Sequence, residues 1–154
     1  MLVQHALAVF SGSGGINDQL SEMSTGTTLP PVASILKLSA ALDSYEKTAT
    51  VRYPVATIYC QRLRNLQTEK FRMLSGIATL VLEIRASGER AEELEFSLNS
   101  YVQAACQVLE GCRGVWTAIG TYAGAYDIKF QALRPGGKQF TKSAQIEFEI
   151  QISR

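Results

Sequence analysis

Apolar and polar positions follow two rhythms along this chain, and the rhythm changes where glycine, serine and proline gather. Leu2, Val3, Ala6, Leu7 and Phe10 recur at helical spacing and predict a short N-terminal helix that Ser11 and Gly12 end. Residues 11–31 then turn to Ser, Gly, Thr and Pro, with Ile16, Leu20, Met23 and Leu29 as scattered apolar anchors. That composition predicts a long extended arm or loop, one that either reaches a neighbouring molecule or has no fixed structure. Residues 32–38 alternate weakly and lead into 40–47, read as a strand followed by a turn or short helix.

The rest of the chain is clearer. Residues 55–61, rich in β-branched and aromatic side chains and placed just after Pro54, predict a strand. In residues 77–86, Ala78, Leu80, Leu82, Ile84 and Ala86 share one face, with Thr79, Glu83 and Arg85 on the other and Val81 among them, so a half-buried strand is expected. Ser87 and Gly88 open a helix over about residues 89–110, stopped by Gly111 and striped with Leu94, Leu98, Tyr101, Val102, Ala105, Val108 and Leu109. Tyr126, Ile128 and Phe130, then Ile146, Phe148, Ile150 and Ile152, alternate with polar residues. These predict two one-sided strands joined as an antiparallel hairpin through residues 134–138. The expected fold class is therefore α+β. It is a mostly antiparallel sheet with one long amphipathic helix, about residues 89–110, packed on one face, together with a short N-terminal helix and a long N-terminal arm.

Length and composition narrow the reading. The chain has 154 residues and is 46% hydrophobic, enough for a single domain spanning 1–154 with one core. A formal net charge of +1 removes any general pull toward nucleic acid or acidic membranes. Cys60, Cys106 and Cys112 form no Cys-x-x-Cys pair and read as reduced, buried thiols of a cytosolic product. Residues 1–10 lack a Lys or Arg before their apolar run, which argues against a secretory signal. No apolar run approaches the ~20 residues a membrane-crossing helix needs, so a soluble protein with no membrane partner is expected.

The chemistry of enzymes is thin here. His5 is the sole histidine and falls in the short N-terminal helix, and no nucleophile elbow, Walker motif or zincin motif occurs. Gly12-Ser13-Gly14-Gly15 lacks the flanking strand and lysine of a phosphate cradle and reads as a flexible joint. The pairs Glu92/Glu93 and Glu147/Glu149 sit on polar faces, where a solvated or interface role outweighs metal binding. No catalytic residue, metal or cofactor is expected, and the chain reads as a non-enzymatic assembly domain.

Charge is segregated along the chain. Arg52, Arg62, Arg64, Lys70 and Arg72 stand against Glu69 alone, whereas Glu83, Glu89, Glu92, Glu93, Glu95 and Glu110 outnumber Arg85 and Arg90. Opposed patches can join copies head to tail into a ring, which makes Arg52, Arg62, Arg64, Lys70, Arg72, Glu89, Glu92, Glu93 and Glu95 candidate subunit-interface residues. The alternative is that both patches are solvated and neutralise each other within one chain. Between Arg62 and Arg72 the only aromatic is Phe71, so specific nucleic-acid binding is not expected.

Several motifs occur in a telling order: Arg52-Tyr53-Pro54-Val55, Glu69-Lys70-Phe71-Arg72-Met73-Leu74-Ser75-Gly76, the Glu-rich helix, Gly114-Val115-Trp116, Tyr122-Ala123-Gly124-Ala125-Tyr126 and Gly136-Gly137-Lys138-Gln139-Phe140. Over roughly residues 52–154 this set resembles the tail-terminator and neck, or head-tail joining, proteins of tailed bacteriophages. The resemblance implies a structural virion protein of the phage neck, assembled in the host cytoplasm. It would form a homohexameric ring that caps the tail tube, meets the head connector or adaptor protein, and lets DNA pass through its central channel without sequence-specific binding. It also implies that strands 77–86 and 145–153 form the ring body with the helix packed on them. The basic segment and the loops at 111–122 and 134–140 would then touch neighbours. Two other readings are a different phage ring, such as a tail tube or head-completion stopper protein, and a small-molecule-binding α+β domain with its pocket between helix and sheet.

Overall fold

The computed structural model describes residues 1–23, 28–37, 50–66 and 75–153. Helices α1 (Leu2–Ser11) and α2 (Ile16–Met23) are followed by strands β1 (Ser34–Lys37), β2 (Val55–Asn65) and β3 (Ser75–Gly88). After them come helix α3 (Ala91–Gly111) and strands β4 (Gly114–Thr117), β5 (Gly120–Phe130), β6 (Arg134–Gly136) and β7 (Gln139–Ser153). The strands form one sheet in the order β1-β2-β3-β7-β5-β4, with β6 also paired to β7. β1 runs parallel to β2, and every other pairing is antiparallel.

The expected α+β architecture, one long helix at about 89–110 packed on a sheet beside a short N-terminal helix and a long arm, is not the one adopted. Among the described residues the fold is mostly β, 48% strand against 30% helix, and its sheet of six to seven strands curls into a half-barrel. Strand length is the physical reason. β3 and β7 run for 14 and 15 residues and pair along Ser75↔Ser153 to Gly88↔Phe140. Right-handed twist accumulates over that length, and irregularities at Cys60/Arg62 in β2 and Tyr122/Tyr126 in β5 bend the sheet further.

The helical part also differs. α3 does not lie alone on a flat face: α2 packs along it, and α1 packs against β1, β2 and β4. The arm expected at 11–31 contains α2, because Ile16, Leu20 and Met23 are spaced four and three residues apart and make a helical stripe. Ile16 and Leu20 are buried, and the Asn17 side chain ties the following segment by accepting from Val32 N at 2.8 Å and donating to Val32 O at 3.3 Å. Residues 38–49, which include the turn or helix expected at 40–47, lie outside the described residues.

The core fills the helix-side face of the sheet. Leu94, Leu98, Tyr101, Val102, Ala105, Val108 and Leu109 of α3 meet Leu80, Leu82 and Ile84 of β3 and Ile146, Phe148 and Ile150 of β7. At one end the rings of Phe10, Trp116 and Tyr122 surround Phe148 at 6.1, 5.6 and 5.8 Å. Among the described residues no helix is long and apolar enough to cross a membrane.

Two tyrosines report on this core. Burial pushes the hydroxyls of Tyr101 and Tyr122 up to about 12, from an ordinary value of 10. Each therefore stays protonated in the folded chain where it would ionise once unfolded. The associated stability, roughly 3 kcal/mol for each group, is complete below pH 10 and is lost as pH rises from 10 to 12. Tyr101 donates to Pro30 O at 2.7 Å, whereas the Tyr122 hydroxyl has no hydrogen-bond partner among the described residues. Tyr122→Phe is therefore expected to leave stability unchanged or raise it by up to ~1 kcal/mol, and to flatten the alkaline decline. Tyr101→Phe is expected to cost about 1 kcal/mol. Thermal melts from pH 8 to 11.5 check both; a Tyr122→Phe melt as pH-sensitive as the parent's contradicts the account.

Candidate functional site

The face of the sheet away from the helices is unusual. Alternation puts Thr79, Val81, Glu83 and Arg85 of β3 on it, paired across to Glu149, Glu147, Gln145 and Ser143 of β7. β3 was expected to be half-buried, but these four side chains are nearly dry, Glu83 and Arg85 at 2% and 5% exposure. β3 is central, with β2 and β7 flanking it on its two sides. The Arg85 guanidinium donates to Glu83 Oε1 at 3.0 Å, and Gln145 Nε2 approaches Glu83 Oε2 at 3.5 Å. Burial, then the carboxylates of Glu83 and Glu147, push the Tyr59 hydroxyl up.

Farther out on this face, Lys129 donates to Glu147 at 2.6 Å, and Arg62 reaches across Thr79 to Glu149 at 3.9 Å. An open recess of about 190 Å³ sits beside them, lined by Ala123, Ala125, Asp127, Glu147 and Glu149 among others. It exists because β5 makes four steps from Tyr122 to Tyr126 while β7 makes two, from Ile150 to Phe148. Gly124 turns that bulge at φ +101°, and a Cβ there would stand 2.7 Å from Arg113 Nε.

Among the described candidates, Arg62 and Arg64 lie far from the acidic group at the start of α3. Arg62 and Arg64 are exposed on the outer half of β2, on the far face, at the level of Glu149 and Gln151. Glu89, Glu92, Glu93 and Glu95 are exposed around the start of α3, where Glu93 pairs with Arg90 at 2.9 Å and Glu95 with Lys142 at 2.8 Å. Lys142 and Gln151 are about 30 Å apart along β7 at roughly 3.4 Å per residue. That exceeds a screening length of about 8 Å several-fold, so Arg62 and Arg64 are screened from the carboxylates at the start of α3 within one chain. Arg52 is exposed just before β2, at the opposite end from Arg64. Lys70 and Arg72 lie outside the described residues.

The loop expected at 111–122 contains β4, and that at 134–140 contains β6 and the turn into β7, where Gly137 takes φ +67°. The cysteines are not uniformly buried: Cys106 is, Cys112 is half-buried and Cys60 is exposed. Burial raises the Cys106 and Cys112 thiols, which makes them poor nucleophiles. Among the described residues no group of three or more His, Cys, Asp or Glu is arranged to hold a metal ion.

What the sequence reading missed is the lateral edges. Eight large hydrophobic residues are exposed among the described residues. Six of them, Leu63, Leu66, Val115, Ile128, Phe130 and Leu133, lie on or beside the strands at the two sides of the sheet. Ile128 and Phe130 alternate with Asp127 and Lys129 and are expected on one face of a one-sided strand. Their alternation is real, but β5 is an edge strand there and α3 does not cover it. No family model and no curated protein matches the chain.

Proposed function

We propose that this chain is a non-enzymatic structural subunit that closes into a ring, acting as the tail terminator of a phage neck. The observation that carries the reading is the concentration of exposed apolar side chains at the two lateral edges of one sheet. Monomeric proteins keep such surface small and scattered, and a gathered patch marks a contact. Edges on opposite sides of a subunit make a heterologous contact, which produces a ring where the rotation closes. The order of motifs over residues 52–154 supplies the neck assignment. On it, six copies cap the tail tube and face the head connector or adaptor, and DNA passes through the opening held by shape alone.

The test is direct. Mass photometry of the purified chain is expected to show a species near six times 16.8 kDa, and negative-stain images are expected to show closed rings that bind the ends of tail tubes. Long tubes of stacked rings would instead assign the tail tube role. Monomers alone, even with tail tubes present, would rule out the ring.

A further inference from the structure

One stretch of sheet edge is complementary to itself. Residues 75–153 are described without a break, and Tyr122 is the last residue of β5 that β4 reaches. Beyond it no strand pairs with the outer side of β5 among the described residues, and Asp127, Ile128, Lys129 and Phe130 are exposed. The direction of the backbone groups follows from the end of the strand. Gln131 N donates to Ser143 O at 2.9 Å, so Lys129 and Asp127 also turn their N–H and C=O toward β7, and Tyr126, Ile128 and Phe130 turn theirs outward. Side chains alternate as well. Tyr126, Ile128 and Phe130 stand opposite Phe148, Ile146 and Ala144 on the helix-side face, and Asp127 and Lys129 stand opposite Glu147 and Gln145 on the far face. Outward from Ile128 the chain presents a charged residue and then an aromatic one in both directions, Asp127 and Tyr126 one way, Lys129 and Phe130 the other.

From this pattern we infer that two copies of the chain pair through residues 126–130 of β5, antiparallel about a two-fold axis at Ile128. In that register Ile128 faces its own counterpart, and the two exchange their outward N–H and C=O groups. Tyr126 faces Phe130 of the second copy, an aromatic pair on the helix-side face, and exposed Ile128 and Phe130 gain apolar neighbours. Asp127 faces Lys129 of the second copy, and Lys129 faces its Asp127, so opposite charges meet twice on the far face. These are the non-hydrogen-bonded positions, where side chains on facing strands come closest. Charge also fixes the register. Sliding the strands one pair either way sets Asp127 against its own counterpart, or Lys129 against its own, and like charges directly opposite are destabilising. The inference goes beyond the ring reading. A ring whose subunits all point one way needs this edge for the next subunit, and an edge held by a two-fold mate is withheld from it. The pair is therefore the form in which subunits outside a ring cover an apolar strand edge that would otherwise stay open to any passing strand.

The experiment is mild oxidation of the full chain carrying Cys60→Ser and Ile128→Cys. At the two-fold axis the two Cα atoms are about 5.5 Å apart, within disulfide reach. A covalent dimer is expected, whereas Cys60→Ser alone, or with Phe96→Cys at an exposed position away from this edge, is expected to give none. The locked dimer is expected to be missing from rings, and reduction to return it to them. Independently, Asp127→Lys brings like charges together at both pairs and is expected to weaken dimerisation at least tenfold by analytical ultracentrifugation. Adding Lys129→Asp restores opposite charges in the same register and is expected to restore the dimer. Both positions are exposed, and circular dichroism verifies that each variant is folded. Rings from a chain in which Ile128→Cys gives no covalent dimer and Asp127→Lys has no effect overturn the two-fold pair and leave the ring reading standing. A dimer that is locked by Ile128→Cys and weakened by Asp127→Lys, in a chain that never forms rings, upholds the pair and overturns the ring. A chain that is monomeric throughout overturns both.

Discussion

Phe148→Ala is expected to destabilise the chain by about 3–5 kcal/mol, the range for deleting a buried phenylalanine whose surroundings cannot collapse. Phe148 is 1% exposed, and Phe10, Trp116 and Tyr122 contact it from α1, β4 and β5. Its loss opens a cavity between three separate elements on a rigid strand paired on both sides. A fall of roughly 10–20 °C in melting midpoint follows for a chain of this length. Phe148→Leu, which keeps most of the volume, is expected to lose less than half as much. A shift under 3 °C for alanine would mean that the aromatic cluster is not a structural centre.

Arg85→Met is expected to cost a similar 3–5 kcal/mol, for an electrostatic reason. Glu83 and Arg85 are 3% and 6% exposed at their side chains, and the substitution takes away the guanidinium 3.0 Å from a carboxylate in a dry site. Replacing both, as Glu83→Leu with Arg85→Met, is expected to recover most of the loss, because neither charge is then left to desolvate. Denaturant titrations of the two single variants and the double variant give the coupling. Additive losses would show that the pair does not act as a unit.

Much of the local structure was legible in the chain. The stripe from Leu94 to Leu109, and the alternation over Tyr126 to Phe130 and over Ile146 to Ile152, appear as α3, β5 and β7 because each depends on neighbours within a few residues. Val81 among polar residues was the one sign that β3 is buried on both faces. α2 was hidden by composition: Ser, Gly and Thr around Ile16, Leu20 and Met23 drew the reading to an arm, although the spacing was helical.

By itself the sequence determined which residues could face a core, where helices and strands begin, and how sparse catalytic groups are. The tertiary structure alone decided which faces became dry. A period-two pattern states that two faces differ without stating what covers either, and coverage depends on strands far apart in the chain. β3 came to lie between β2 and β7 with Glu83 and Arg85 dry on its far face, and the accumulated twist of 14- and 15-residue strands curled the sheet.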